Sequence, residues 1–66
     1  MTDTLGTKIR HLREEIGYTQ ADLANAAGIT QSQVCLLEQG TREPRIGLLQ
    51  RVATALGVTV GEIVDG

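Results

Sequence analysis

Four consecutive hydrogen-bonding side chains, Thr30-Gln31-Ser32-Gln33, stand at the start of a short segment with helical apolar spacing. A glutamine amide has one donor and one acceptor group, which match the N6 and N7 atoms of adenine in the major groove of DNA. A serine hydroxyl can pair with donors or acceptors, and the aliphatic Leu36, one helical turn later, suits the methyl group of thymine. Taken alone, these residue types fit either contacts with base pairs or simply a polar, well-capped helix start.

The remaining polar residues predict neither catalysis nor metal binding. One cysteine, Cys35, and one histidine, His11, are too few for a zinc site with its usual four ligands. The sequence has no pattern of a paired nucleophile and base, and no phosphate-cradling loop. We interpret Cys35 as a small side chain near the scaffold and His11 as a surface residue. We therefore expect no enzymatic activity, no cofactor and no metal.

Glycines and threonines mark the ends and starts of five predicted helices. Four glycines close periodic apolar segments, where a left-handed residue commonly ends a helix: Gly17, Gly28, Gly40 and Gly57. Three threonines are followed three residues later by an acidic or amide side chain, the pattern of a capping box: Thr19/Asp22, Thr30/Gln33 and Thr59/Glu62. No strand-like alternation competes with this pattern, so the predicted fold class is all-α.

The predicted helices span about residues 4–16, 20–27, 31–39, 45–56 and 60–64 of a single domain covering 1–66. The chain contains one tyrosine and no phenylalanine or tryptophan, so the core must be aliphatic. Apolar residues at helical spacing predict its members. They are Leu5, Ile9, Leu12, Ile16, Leu23, Val34, Leu37, Ile46, Leu49, Val52, Ala53, Leu56, Val58 and Ile63.

Size and charge limit the possible functions. A chain of 66 residues buries only about 60% of its unfolded surface, so dimerisation would help to stabilise it. No apolar run approaches the ~20 residues that span a bilayer, and no secretory signal is evident; we expect a cytoplasmic protein. The formal charge of −2 argues against nucleic-acid binding unless the six basic residues are concentrated on one face.

Three segments in order resemble the phage repressor and Cro-type helix-turn-helix family, often called the XRE family. They are IRHLREEIGYTQADLANAAGIT, VCLLEQGTREP and LLQRVATALGVTVGEI, and the resemblance covers roughly residues 5–64. It implies a compact five-helix bundle of the phage-repressor type, with the helix-turn-helix at about residues 20–39. The implied function is sequence-specific binding of double-stranded DNA by a transcriptional regulator, with the third helix in the major groove.

The resemblance also implies roles for individual residues. The base contacts would be Gln31, Ser32 and Leu36. The contacts with the DNA backbone would be Gln20, Thr30, Gln33, Thr41, Arg42 and Arg45, and Gln20 would also steady the first residue of the third helix. Arg13 and Glu38 would form a partly buried ion pair between the first and third helices. Val58, Val60 and Val64 would lie at a homodimer interface.

Two other interpretations keep the same fold. The chain could be the DNA-binding antitoxin of a toxin–antitoxin pair, with an acidic surface that binds a protein partner. It could also be a protein-interaction module that has lost DNA binding. The preferred hypothesis is a homodimeric repressor on a near-palindromic operator, because paired recognition helices on half-sites about one turn (~34 Å) apart increase affinity.

Overall fold

The computed structural model describes residues 5–40 and 44–65, without the side chain of residue 65. The elements are α1 (Leu5–Glu15), α2 (Gln20–Ala27), α3 (Gln31–Gln39), α4 (Ile46–Leu56) and α5 (Val60–Asp65). Within the described ranges there is no β-strand, and none of the five helices is long and apolar enough to cross a membrane. The predicted all-α, five-helix fold is confirmed.

The three predicted capping boxes form in the structure. Thr30 Oγ1 accepts a hydrogen bond from the backbone N of Gln33 at 3.1 Å, and Gln33 Oε1 accepts one from the backbone N of Thr30 at 2.9 Å. Equivalent reciprocal pairs start α2 and α5. In the α2 pair, hydrogen bonds from the backbone N and then the side chain of Thr19 hold the pKa of Asp22 below its ordinary value. The starts of α2, α3 and α5 are therefore set locally.

Aliphatic side chains from all five helices fill the core. The side chains with almost no exposed surface are Ile9, Leu23, Val34, Val52 and Ile63. Leu37, Leu49, Leu56 and three alanines complete the buried cluster. Leu5, Leu12 and Val58 are partly buried and pack against this cluster, as does Tyr18, the single aromatic residue.

The burial predicted for Ile16 and Ile46 is wrong. The side chain of Ile16 is 47% exposed because α1 ends at Glu15 and the chain turns there, so helical spacing no longer directs Ile16 inward. The side chain of Ile46 is 63% exposed because α4 begins only at this residue, with Arg45 as its N-cap. The buried stripe of α4 starts instead at Leu49.

Gly6 allows α1 to lie directly against the end of α3. A Cβ added at Gly6 would overlap the backbone carbonyl oxygens of Leu37 and Glu38. Because these are backbone atoms in the last turn of α3, no side-chain rotation can relieve the overlap. Gly6 therefore fixes the distance between α1 and α3.

We predict that Gly6→Ala lowers the free energy of unfolding by about 1–3 kcal/mol, because the added methyl group overpacks this contact. The matched control is Gly47→Ala in α4, where an added Cβ would meet nothing within 4 Å. There the substitution should stabilise the protein by roughly 0.5–1 kcal/mol, as alanine favours helix over glycine. Urea unfolding followed by circular dichroism measures both, and a Gly6→Ala variant as stable as the wild type would contradict the close approach.

Candidate nucleic-acid interface

The carboxylate of Glu38 joins the first three helices. Arg13 Nε donates to Glu38 Oε2 at 2.6 Å, and Arg13 Nη2 donates to Glu38 Oε1 at 3.1 Å. The two side chains are only 10% and 5% exposed. Arg13 Nη1 also donates to the backbone oxygen of Tyr18 at 2.8 Å. The predicted ion pair between α1 and α3 is confirmed, and it extends to the turn before α2.

The same carboxylate holds Gln20, the first residue of α2. Gln20 Nε2 donates to Glu38 Oε1 at 3.2 Å. The resemblance implied that Gln20 would steady the first residue of α3, but its hydrogen bond reaches the last turn of α3 instead. Because an amide nitrogen carries two hydrogens, this bond leaves one N–H of Gln20 unused, and its contact with a DNA phosphate stays a prediction.

Hydrogen bonding to Glu38 raises the pKa of Arg13 above its already high ordinary value, and burial of the guanidinium opposes this only in part. Arg13 therefore keeps its charge wherever the protein is folded. The network positions α3 without contributing a free cation to the surface.

The predicted base-contact residues lie together on the exposed face of α3. Gln31 and Ser32 are exposed in its first turn, and the side chain of Leu36 is 54% exposed one turn later. Val34 and Leu37, on the opposite face, are buried. One helix thus presents an amide, a hydroxyl and an apolar surface outward while its other side anchors it in the core.

Thr30 and Gln33, predicted as backbone contacts, are occupied by the capping box at the start of α3. The Oε1 atom of Gln33 accepts from Thr30, so its Nε2 group is the part of this amide that faces no described partner. Thr30 Oγ1 is the acceptor for the backbone N of Gln33. The cap therefore fixes the orientation of Gln33 as a hydrogen-bond donor toward solvent.

A groove separates the exposed face of α3 from the beginning of α4. Gln33 and Leu36 line one side, and Arg45, Ile46 and Arg51 line the other. Arg45 was predicted as a backbone contact, and its side chain is exposed at the N-cap of α4. The predicted contacts Thr41 and Arg42 lie outside the described residues.

The residues predicted for a dimer interface lie in and just before α5. The side chain of Val64 is 55% exposed, whereas Val58 and Val60 are partly buried against the core. Val64 therefore leaves apolar surface exposed on α5. Their role in dimerisation stays a prediction.

Two positions in this region were missed from the sequence. Gly6 controls the approach of α1 to α3, and the signal for it was a glycine inside an otherwise helical pattern. Arg51 Nη1 donates to the backbone oxygen of Gly28, in the turn between α2 and α3, at 3.4 Å. No local pattern predicts that contact, because 23 residues separate its partners.

A family model described as helix-turn-helix matches residues 9–63 of the chain. An uncharacterised HTH-type transcriptional regulator of Methanothermobacter thermautotrophicus is 43% identical over 51 residues, which cover 77% of this chain and 74% of that protein. The immunity repressor protein of Bacillus phage phi105 is 36% identical over 61 residues, covering 92% of this chain and 42% of the repressor.

This chain is also similar to a solved structure of a DNA-bound regulator. The biofilm master regulator SinR, a Bacillus subtilis protein, in its complex with DNA has a TM-score of 0.89 and 32% identity. That match covers 94% of this chain and all of the SinR chain in the complex. Two further relatives are longer proteins, and this chain spans only 46% and 23% of their lengths.

We predict that Glu38→Gln lowers the free energy of unfolding by about 3–5 kcal/mol, because the nearly buried Arg13 then has no counter-charge. The matched control is Glu14→Gln, which removes a carboxylate from the exposed Arg10–Glu14 pair, at 3.4 Å and with side chains 61% and 51% exposed. An exposed pair contributes little, so this change should stay within about 0.5 kcal/mol. Equal losses in the two variants, measured by urea unfolding, would show that the Glu38 network does not hold the helices together.

Proposed function

The chain belongs to the helix-turn-helix family whose model it matches, and from that premise we propose that it is a dimeric, sequence-specific repressor of transcription. In this proposal α3 enters the major groove of double-stranded DNA, and binding blocks access to a promoter. The names of its relatives, a phage immunity repressor and a DNA-bound regulator, support this function. The site of action is the cytoplasm, where the target DNA lies.

The exposed face of α3 is the observation that carries the proposal. Gln31, Ser32 and Leu36 offer complementary groups to base edges, and their helix is anchored by Val34, Leu37 and the Glu38 network. The nine residues of α3 make it about 13.5 Å long, and an α-helix with its side chains is about 10–12 Å across, which fits the ~12 Å width of the major groove. A rigid, exposed helix of this length can place its first two turns against bases while other residues contact phosphates.

A second subunit would supply the symmetry that this small set of base contacts needs. Two copies of α3 would contact half-sites about 34 Å apart on a near-palindromic operator. The exposed Val64 on α5 is the apolar surface that supports pairing in this proposal. Backbone contacts come from Gln20, Thr30, Gln33, Thr41, Arg42 and Arg45.

Selection of bound duplexes from random-sequence DNA, at two salt concentrations, tests the proposed function. We expect enrichment of one near-palindromic motif whose half-sites are one helical turn apart. Retardation of no duplex at low salt would instead indicate a module that binds only proteins. Enrichment of an unpaired half-site would contradict the dimer.

We predict that Gln31→Ala weakens binding to the selected operator by about 1–3 kcal/mol and relaxes the preference at one base pair in each half-site. The reason is the loss of a donor and acceptor pair directed at a base edge. The measurement is fluorescence anisotropy on the operator and on each single-base variant. Equal weakening on all duplexes would assign Gln31 to the backbone instead.

We predict that replacing one thymine per half-site with deoxyuridine weakens binding of the wild type about fourfold for each methyl group that Leu36 covers. Deoxyuridine lacks only the 5-methyl group, so every hydrogen-bonding group of the base pair is kept. The control protein is Leu36→Ala, whose affinity should be the same on both duplexes at that position. If no thymine in the operator shows this difference, Leu36 does not contact a thymine methyl group.

A further inference from the structure

The groove between α3 and α4 carries positive charge although the chain as a whole is acidic. Its described lining includes two arginines, Arg45 and Arg51, and no aspartate or glutamate. The formal charge of the whole chain is −2. The carboxylates whose side chains the structure describes therefore lie elsewhere, and this groove is a local cationic surface.

The two arginines of the groove are also free of ion pairs within the described part of the chain. Arg13 forms an ion pair with Glu38, and Arg10 Nε lies 3.4 Å from Glu14 Oε2. Neither Arg45 nor Arg51 has a carboxylate within salt-bridge distance among residues 5–40 and 44–64. Their charges are thus available to an anionic partner.

Arg51 is held next to the turn that leads into α3. Its Nη1 donates to the carbonyl oxygen of Gly28 at 3.4 Å, which uses one of the five N–H donors of the guanidinium. The side chain is exposed and lies along the same groove as Gln33 and Leu36, on the outward side of α3. The remaining donors can reach a ligand that lies against this face.

We propose that Arg51 binds a phosphate of the DNA strand that flanks α3, as a backbone contact additional to those that the sequence predicted. This inference rests on the proposed function. A helix in the major groove has a sugar–phosphate backbone on either side, so a cation beside the helix meets a phosphate when the helix meets the bases. The guanidinium fork fits phosphate oxygens, and the bond to Gly28 orients it before DNA arrives.

The salt dependence of binding tests this role. Each phosphate neutralised by a cation contributes about −0.9 to the slope of log K against log salt concentration on B-form DNA. Arg51→Gln should therefore make the slope less steep by about 0.9 for each subunit bound, on the selected operator and on unrelated duplexes alike. Arg51→Lys should keep the wild-type slope, because it keeps the charge.

Lys8→Gln is the control, since it removes the same charge from α1 at a residue that does not line the groove. Its slope should equal that of the wild type. Circular dichroism of each variant, with its urea midpoint, shows whether the fold is kept, so that a binding change is not mistaken for unfolding.

The outcomes separate this inference from the proposed function. If the wild type selects an operator and Arg51→Gln lowers affinity without changing the slope, Arg51 only supports the turn at Gly28 and the phosphate contact is overturned. An unchanged affinity overturns it equally. If the wild type binds no DNA, the proposed function itself fails, and that result appears before any Arg51 variant is measured.

Discussion

The carboxylate of Glu38 is the interaction on which the arrangement of the first three helices depends. It accepts hydrogen bonds from Arg13 in α1 and Gln20 in α2 while it belongs to the last turn of α3. An ionised carboxylate that is nearly buried needs such donors, because leaving its charge unpaired there would cost several kcal/mol. The aliphatic core accounts for most of the buried surface, but its packing does little to specify how the helices are oriented relative to one another. The ion pair, together with the contact at Gly6, sets where α3 lies.

This use of charge explains how an acidic chain can still present a DNA-binding face. Arg13 is nearly buried in its ion pair with Glu38, and Arg10 lies beside Glu14 on α1. The positive charge of each is therefore balanced by a neighbouring carboxylate. Among the residues that the structure describes, the arginines without such partners are Arg45 and Arg51, and both border the groove beside α3. Net charge is a sum over the whole surface, whereas attraction to phosphate depends on where the unpaired cations lie. For that reason the net charge of the chain does not predict whether its surface can bind DNA.

The features predicted well from the sequence are those determined by neighbouring residues. Thr30 and Gln33 are three residues apart, and their reciprocal cap follows from local geometry, as do the helix ends at glycines. The ion pair of Arg13 and Glu38 was available only through the family resemblance. The error at Ile46 concerns the start of a helix: α4 begins only at this residue, so apolar spacing does not place it in the core. The hydrogen bond from Gln20 to Glu38 joins residues 18 positions apart, which periodicity cannot give. The assignment of individual residues to bases and phosphates remains a prediction.

Tyr18 has a practical consequence for experiments on this protein. It is the only aromatic residue in the chain, and it lies in the turn between α1 and α2, where its carbonyl oxygen accepts a hydrogen bond from Arg13. Its ring packs against the edge of the core. The tyrosine near-ultraviolet absorption band and the tyrosine fluorescence of the protein therefore arise from one site beside the Glu38 network. The chain thus contains an intrinsic probe of how its first three helices are joined, and no label is needed to observe it.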